Sequence, residues 1–177
     1  ERMSRMNKVL LEMSELRSVP CEDDIELGPL SEEVLTDLAP LAEHKGITLN
    51  CSGGALIIGS DTLLYRLVFN LVENAIRYSR PGSTVNVFIC DNDSHVLLRV
   101  EDQGPGIPKQ YRESIFQPFF RVDKSRSRAY GGAGLGLALV WEIATLHGGT
   151  AEVESSSENG TVMLVALPKR TTAQSDR

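Results

Sequence analysis

The sequence is poor in cysteine and has no long apolar run, and each shortage excludes a class of protein. Its 177 residues include three cysteines, Cys21, Cys51 and Cys90, and without a Cys-x-x-Cys pair these indicate neither a disulfide framework nor a zinc site. No apolar run approaches the roughly 18 residues that a membrane helix needs, and no signal-peptide pattern opens the chain. We therefore expect the chain to occupy a reducing cytoplasm.

Clustered positive charge is absent from most of the chain. The formal net charge is −6, and a nucleic-acid surface needs clustered Lys and Arg to neutralise phosphates, so we expect no nucleic-acid partner. Residues 121–128 are the exception, because four cations against one acid give this segment a charge of +3 and leave −9 for the remainder. Such a run is usually a solvated loop, but here it precedes a cluster of glycines.

Two common nucleotide-binding signatures are also missing. The chain contains no Gly-Lys-Ser or Gly-Lys-Thr, so it has no P-loop, and the segment GGAGLGL at 131–137 lacks the spacing and the preceding strand of a dinucleotide fingerprint. The cluster still needs an explanation, because glycine inside a helix costs roughly 0.5–1 kcal/mol relative to alanine. Glycines at a helix N-terminus let backbone N–H groups approach a phosphate, and with the neighbouring cations they favour a triphosphate ligand.

The order of helix and strand patterns predicts an α+β fold. Met3, Met6, Leu10 and Met13 form an a/d stripe on an opening helix, which we expect to pair with a partner that is missing here. This helix breaks before Pro20. We predict strands at 23–28, 47–51, 55–59, 84–90, 94–100, 150–155 and 161–167, and helices at 31–45, at 61–79 and ending at 147.

These elements describe a two-layer sandwich in which helices cover one face of a mixed sheet. A chain of 177 residues with 41% hydrophobic residues is long enough for one such domain. We divide it into a helical stub at 1–20, one domain at 21–168 and a flexible tail at 169–177.

The helix predicted at 61–79 has one apolar face and one polar face. Asn70, Glu73, Asn74 and Arg77 recur at spacings of three and four, so their side chains emerge together. The ordinary interpretation is a solvated surface, but amide oxygens are hard ligands that suit magnesium, and a guanidinium pairs with phosphate. The polar face is therefore a candidate for binding a metal-phosphate group.

A second candidate is Asp102, which ends an alternating strand. The turn Gly104-Pro105-Gly106 follows after one residue, Gln103, and it leaves the carboxylate fixed at the strand end above a cleft. Taken alone, this pattern is more often an ordinary turn than a binding site. If adenine lies there, Asp102 accepts a hydrogen bond from the exocyclic amine, whereas guanine would present a second acceptor.

Five motifs occur together in a fixed order: NLVENAIRY (70–78), DQGPGIP (102–108), IFQPFFR (115–121), GGAGLGLAL (131–139) and HGG (147–149). The set closely resembles the N, G1, F, G2 and G3 boxes of the catalytic ATP-binding domain of bacterial two-component sensor histidine kinases. The resemblance covers residues 22–168 and implies the Bergerat, or GHKL, form of the α+β sandwich. The stub at 1–20 resembles the end of that family's dimerisation hairpin. Within the family, the chain resembles membrane-bound sensors, including the VanS group of glycopeptide-resistance sensors.

The resemblance implies ATP and Mg²⁺ as cofactors and assigns the phosphate side of the site. Asn74 would hold the magnesium that bridges the phosphates, with Asn70 assisting. Arg77 would lie near the phosphates, and Arg121 matches the lid arginine that is directed at the γ-phosphate. Asn74, Arg77 and Arg121 are therefore the expected catalytic residues.

The same resemblance assigns the base side and the lid. Tyr78 would pack near the nucleotide, Asp102 would read the adenine amine, and Gly104 and Gly106 would permit the close turn around the base. The other expected ATP-binding positions are the lid-hinge glycines Gly132, Gly134 and Gly136 and the apolar residues Ile107, Leu135 and Leu137.

Transfer to a protein acceptor is the expected reaction, rather than hydrolysis. Relatives that hydrolyse ATP, such as gyrase, the heat-shock chaperone of this fold and mismatch-repair ATPases, have a general-base glutamate one turn before the magnesium asparagine. Asn70 occupies that place here, and an amide cannot take a proton from water. Glu73 is adjacent to Asn74, but we expect it to point elsewhere.

The acceptor histidine is expected outside this chain, on the dimerisation domain. His44, His95 and His147 all lack the HE(L/I)RTP-like context of the family's phosphoacceptor, so we expect structural roles for them. The further expected partner is a response regulator. We expect the full-length protein to be a membrane-bound homodimer with this part in the cytoplasm, and the fragment alone to be compatible with a monomer. Two alternatives stay open: an anti-sigma-type serine kinase and a non-catalytic nucleotide-binding module of the same fold.

Overall fold

The computed structural model of the protein describes residues 2–122 and 134–170. The described helices are α1 (Arg2–Leu16), α2 (Leu27–Lys45), α3 (Asp61–Tyr78) and α4 (Gly136–Leu146), with 3₁₀ turns at Lys109–Tyr111 and Ser114–Phe116. The strands are β1 (Asp23–Glu26), β2 (Thr48–Gly53), β3 (Leu56–Gly59), β4 (Thr84–Asp91), β5 (His95–Asp102), β6 (Thr150–Ser157) and β7 (Gly160–Pro168).

Five strands form one mixed sheet in the order β2-β4-β5-β7-β6. The β2–β4 pair is parallel and the other three pairs are antiparallel. In β4, β5 and β7 every second residue is buried, because one face of the sheet packs against α2, α3 and α4 while the opposite face stays open. The predicted α+β sandwich with helices on one face is confirmed. Strands β1 and β3 form a separate antiparallel pair.

Helix α3 lies at the centre of this core. Its apolar stripe is fully buried, from Leu63 and Leu64 to Ala75 and Ile76. The helix begins after Ser60, whose side-chain oxygen accepts a hydrogen bond from the backbone N–H of Leu63 at 3.3 Å. The buried stripe fixes the rotation of the helix, so the polar face carrying Asn70 and Asn74 points away from the core.

Helix α2 starts four residues earlier than the sequence predicts. The predicted strand at 23–28 ends at Glu26, and the helix expected from residue 31 begins at Leu27. Pro29 lies in its first turn, where backbone N–H groups have no partner within the helix, so proline does not prevent helix formation there. Burial of Leu27 and Leu30 in the core stabilises this extra turn.

The two ends of the described chain are attached to the domain. Leu16 at the end of α1 is buried, and Arg17 Nε donates to Glu142 Oε1 on α4 at 3.1 Å. Lys169 and Arg170, which the sequence assigns to the tail, follow β7 and are bonded to the domain: the Lys169 N–H donates to the Ser94 carbonyl at 2.8 Å and Arg170 Nη1 to the Cys21 carbonyl at 3.0 Å. Residues 171–177 lie outside the described residues, and the division at residue 20 stays a prediction.

The predicted absence of disulfides agrees with the structure, in which all three cysteines are free. Across 2–122 and 134–170, none of the helices combines the length and the apolarity that crossing a bilayer requires.

Candidate functional site

A cavity of about 880 Å³ opens between the last two turns of α3, the loop after β5, the start of β7 and the N-terminus of α4. The structure brings most of the predicted site residues to its walls, although they come from four separate segments of the chain. The predicted residues that line it are Asn70, Asn74, Arg77, Tyr78, Asp102, Gly106, Ile107, Arg121, Gly134, Leu135, Gly136 and Leu137.

Two predicted residues do not line the described wall. Gly104 lies behind it, where its N–H donates to Asp102 Oδ1 at 2.9 Å. A Cβ at Gly104 would lie 2.6 Å from the Tyr78 carbonyl oxygen, so a side chain would separate this loop from the end of α3. Gly132 lies outside the described residues, as do Lys124, Arg126 and Arg128 of the basic segment.

Asp102 is the only acidic residue that is buried within the described chain, with 8% of its surface exposed. Its Oδ1 accepts hydrogen bonds from the backbone N–H of Gly104 at 2.9 Å and of Thr161 at 3.2 Å. Burial raises the pKa of Asp102, and the two N–H bonds partly offset that increase. A carboxylate has about four acceptor positions, so these bonds fix its orientation and leave acceptor capacity toward the cavity.

The loop after Asp102 is held closely against the β6–β7 hairpin. Gly106 has φ of 81°, and a Cβ there would lie 2.0 Å from the Ser157 carbonyl oxygen, so only glycine allows this approach. The next residue, Ile107, lines the cavity, and its N–H donates to Ser156 Oγ at 2.7 Å.

The polar face of α3 forms the opposite wall. Asn70 Nδ2 donates to the Arg66 carbonyl at 2.7 Å, which turns its Oδ1 toward α4, where a Cβ on Gly136 would lie 3.1 Å from that oxygen. Arg77 Nη2 pairs with Glu73 Oε1 at 2.8 Å, one helical turn away. Glu73 therefore lines the cavity with the others, and the expectation that it points elsewhere is wrong, because the ion pair draws its carboxylate along the helix toward Arg77.

The last turn of α3 is fixed by a lysine from α2. Lys45 Nζ donates to the carbonyl oxygen of Ile76 at 3.0 Å and also to that of Arg77. Cations stabilise the carbonyl end of a helix, and burial lowers the pKa of Lys45. This contact holds the backbone from which the side chains of Arg77 and Tyr78 reach the cavity.

The N-terminus of α4 completes the site. Leu135, Gly136 and Leu137 line the cavity, and the first N–H groups of a helix lack partners within it. The Phe119 N–H donates to the Gly134 carbonyl at 2.8 Å, so the segment before the basic loop is joined to the segment after it. The structure thus places a helix N-terminus, a site that favours anions, across from Asn70 and Asn74.

Several lining residues were not predicted from the sequence. Lys109 and Arg112 follow the G1 motif three residues apart, and a search for cations beyond 121–128 would have found them. Five others belong to the motifs at 102–108, 115–121 and 131–139, although no contact with the site was predicted for them: Pro105, Pro108, Ile115, Phe120 and Leu139. The remaining residues reach the wall through strand register or loop packing, which no local pattern reveals. They are Val122, Ser157, Glu158, Thr161 and Met163.

The donor set suits a magnesium ion that arrives with phosphates. In the parts of the chain that the structure describes, no three His, Cys, Asp or Glu side chains are grouped to hold a metal by themselves. The cavity instead offers the amide groups of Asn70 and Asn74, and Mg²⁺ bound to nucleotides uses few protein ligands and takes the rest from phosphates and water. These residues fit such an ion.

The three histidines lie away from this cavity. His147 is buried with both ring nitrogens engaged: Nε2 accepts from the Ser60 N–H at 3.1 Å, and Nδ1 lies 2.8 Å from the Ile143 carbonyl. Burial lowers the pKa of His147. His44 is exposed and His95 is half-buried beside Ser94. None of the three is among the residues that line the cavity within the described chain.

Comparison with known proteins gives one consistent result. The family described as histidine kinase-, DNA gyrase B-, and HSP90-like ATPase (HATPase_c) matches residues 59–171. The sensor histidine kinase RppB of Synechocystis sp. is 35% identical over 175 residues, which cover 94% of this chain and 38% of RppB. The chain spans less than half the length of the curated relatives to which it was compared.

Solved structures agree. The mycobacterial sensor histidine kinase MprB superposes with a TM-score of 0.74 at 30% identity, covering 84% of this chain and 98% of the MprB chain. Full-length ShkA in complex with AMPPNP superposes with a TM-score of 0.78 at 25% identity, covering 92% of this chain and 35% of that one. These matches give no support to the narrower resemblance to the VanS group.

Proposed function

Since this chain belongs to the histidine kinase-, DNA gyrase B- and HSP90-like ATPases, and within them to the catalytic domains of sensor histidine kinases, we propose that its cavity binds Mg-ATP for phosphoryl transfer. The acceptor is a histidine on a dimerisation domain, and a response regulator aspartate receives the phosphate next. The anti-sigma serine kinase and the non-catalytic module are not favoured, because the relatives are named sensor histidine kinases.

The observation that carries the proposal is the buried carboxylate of Asp102 in the cavity wall. A buried charge is costly unless a partner compensates it, and the backbone bonds from Gly104 and Thr161 engage one oxygen only. An adenine base satisfies the rest of the carboxylate through its exocyclic amine. Guanine would place a carbonyl oxygen there and leave two acceptors facing each other.

On the phosphate side, each residue has a separate role. Asn74 and Asn70 would hold a magnesium ion through their side-chain amides, and the ion would supply positive charge to the phosphates. Arg77 and Arg121 line the same cavity and supply positive charge toward the phosphates. The N–H groups at the start of α4 add neutral donors for the same group. Tyr78 packs beside the base.

The arrangement favours transfer over hydrolysis. Activating water requires a general base, and at position 70 the chain has an amide whose Nδ2 is bound to the Arg66 carbonyl. Glu73 has a carboxylate, but it is paired with Arg77 at 2.8 Å. The wall therefore orients the nucleotide and shields it, and the nucleophile comes from the partner domain. In this proposal the full-length protein is a membrane-bound homodimer whose catalytic part is cytoplasmic.

The test is isothermal titration of the chain with ATP, with and without Mg²⁺. Wild type should bind with a clear magnesium dependence, and Asn74→Ala should weaken Mg-ATP binding about tenfold or more, which corresponds to about 1.4 kcal/mol. Asn86→Ala is the matched control, because Asn86 lies on the open face of the sheet, bonded to Asn50 and Glu101. Equal ATP binding without the metal, or by Asn74→Ala, would contradict the phosphate half of the proposal.

The second arm follows the transferred phosphate. Incubation with γ-labelled ATP should leave this chain unlabelled, and label should appear only on an added dimerisation domain that carries its histidine. A stable, acid-labile phosphate on this chain alone would show that one of its own three histidines is the acceptor.

A further inference from the structure

Two side chains that the proposed mechanism does not use join the loop after β5 to the end of β6. Arg112 Nε donates to the Ile107 carbonyl at 3.2 Å, and its Nη2 donates to the Ser156 carbonyl at 2.9 Å. Ser156 Oγ in turn accepts from the Ile107 N–H at 2.7 Å. We call the side chains of Arg112 and Ser156, with the backbone of Ile107, the loop clasp.

The loop clasp continues directly to the base-reading carboxylate. Ser156 Oγ lies 2.8 Å from Thr161 Oγ1, and the Thr161 N–H donates to Asp102 Oδ1 at 3.2 Å. A continuous series of hydrogen bonds therefore runs from Arg112 to Asp102. All of these groups are buried or half-buried, where hydrogen bonds are less weakened by water than at the surface.

The two ends of the loop are held by different contacts. At its start the Gln103 N–H donates to Ser79 Oγ at 3.2 Å and the Gln103 carbonyl accepts from the Arg80 N–H at 3.3 Å, whereas the loop clasp holds its other end at Ile107. Between Asp102 and Ile107 the loop contains Gly104 and Gly106, and glycine has the largest backbone freedom of any residue. Gly106 has left-handed geometry with its backbone against Ser157. A loop of this composition needs side-chain bonds from outside to keep one conformation.

We propose that the loop clasp makes Arg112 and Ser156 positioning residues for recognition of the base. The inference rests on the proposed function, because it assumes that adenine lies between Asp102 and Ile107. The clasp keeps the loop in the conformation that accepts the base, and the apparent affinity of a ligand falls in proportion to the fraction of molecules that keep that conformation.

The alternative role for Arg112 is a direct contact with phosphate, because it is a cation in the cavity wall. Its geometry favours the clasp, since Nε and Nη2 both donate to backbone carbonyls of the loop and the hairpin. The two roles differ in a measurable way. Replacing a positioning residue changes the affinity for every adenine ligand alike. Replacing a residue that contacts phosphate changes the affinity only for ligands that carry phosphates, and that change depends strongly on the salt concentration.

The experiment compares ATP, titrated by calorimetry, with adenosine, titrated by NMR, for the wild type and four variants. Arg112→Met and Ser156→Ala should each weaken both ligands by a similar factor of about tenfold. Ser156→Thr, which keeps the oxygen, should restore most of the affinity. Arg80→Met is the matched control: Arg80 Nη2 also donates to a carbonyl of this hairpin, that of Glu158 at 2.6 Å, but Arg80 is not part of the loop clasp and does not itself line the cavity. It should bind like the wild type.

Two results would overturn the inference. If Arg112→Met weakens ATP but not adenosine, Arg112 is a phosphate ligand and not a positioning residue. If both ligands bind to Arg112→Met as they do to the wild type, the clasp has no part in recognition. Failure of the wild type to bind ATP is a different result, because it refutes the proposed function itself.

A measurement without nucleotide separates these cases further. The Ile107 amide hydrogen is the one that Ser156 Oγ accepts, so its exchange with deuterium reports directly on the clasp. Exchange at Ile107 should be about fivefold or more faster in Arg112→Met than in the wild type and unchanged in Arg80→Met. An unchanged rate in Arg112→Met would overturn the inference whether or not ATP binds.

Discussion

Two buried serines differ in whether their hydroxyl group has a hydrogen-bond partner. Ser31 on α2 is completely buried, and within the described residues its Oγ has no hydrogen-bond partner. Ser60 is 3% exposed, and its Oγ accepts from the Leu63 N–H at the start of α3. An unpaired buried hydroxyl destabilises the folded state, whereas a hydroxyl that caps a helix stabilises it.

We predict opposite effects on replacing these serines with alanine. Ser31→Ala should raise the free energy of unfolding by about 0.5–1 kcal/mol, because it removes an unpaired polar atom without opening a large cavity. Ser60→Ala should lower it by about 1 kcal/mol, because it removes the cap of α3. Urea denaturation of both variants measures the difference. A loss of stability in Ser31→Ala comparable to that in Ser60→Ala would show that the Ser31 hydroxyl is bonded in solution.

Among single residues, the sequence predicts a site residue well where its immediate neighbours in the chain mark it. Asp102 is recognisable because its carboxylate ends a strand two residues before the turn Gly104-Pro105-Gly106. Ser156 and Thr161 are not recognisable, since their place depends on the pairing of Asp102 with Thr161 across β5 and β7 and on the bulge between Val153 and Ser155. The pairing of two residues that lie 59 positions apart in the chain leaves no local signal in the sequence.

Among the elements, the two ends of α4 make different contacts. Its N-terminus borders the cavity, and its C-terminus is joined to the start of α3 by His147, which bonds Ser60 through Nε2. The Ser60 N–H requires an unprotonated Nε2, so the ring is neutral with its proton on Nδ1 toward the Ile143 carbonyl. Burial lowers the pKa of His147, and the charge of Arg170 acts in the same direction.

The bond between neutral His147 and Ser60 predicts that the stability of the folded chain depends on pH. Because the folded pKa of His147 lies below its unfolded value of about 6.5, the unfolded state binds more protons, and stability falls as the pH drops below that value. His147→Gln should lower the free energy of unfolding by about 2 kcal/mol at pH 7.5, and the gap to wild type should narrow at pH 5.5. Urea denaturation at both pH values tests this, with exposed His44→Gln as control. A gap that stays constant would contradict the assignment.

The elements also show where sequence patterns are reliable. Helix α3 was predicted to within one residue, because the apolar spacing in the sequence coincides with the stripe that is buried in the structure. The start of α2 was missed because Pro29 and Gly28 suggest a break, whereas the core accepts Leu27 and Leu30 in a helical turn. Local propensity was overridden there by burial.

For the whole molecule, nucleotide binding should appear as added stability. A ligand that binds only the folded state at one hundred times its Kd adds about 2.7 kcal/mol, which for a chain of this size corresponds to a rise in Tm of about 5–10 °C. Mg-ATP should produce this rise and Mg-GTP should not. Asp102→Asn keeps a side-chain oxygen for the Gly104 and Thr161 bonds, so it should fold normally and lose the response to ATP. An equal rise with GTP would refute base selection by Asp102.

The architecture of the whole molecule was predictable only in outline. The alternation of patterns indicates an α+β sandwich, and the five motifs indicate the family, but the strand order β2-β4-β5-β7-β6 and the separate β1–β3 pair depend on contacts between distant segments. The cavity has the same origin. Its walls come from α3, the loop after β5, β7 and α4, and only the folded chain brings them together.

Trp141 gives this molecule a built-in optical probe. It is the single tryptophan of the chain, it is 46% exposed, and its ring centroid lies 5.7 Å from that of Phe116. Trp141 lies on α4, five residues after Gly136, and Phe116 ends the 3₁₀ turn Ser114–Phe116, which comes after the loop that follows β5. The indole thus joins α4 to this 3₁₀ turn, and its emission can report in real time, without any attached dye, a nucleotide-induced shift between the two.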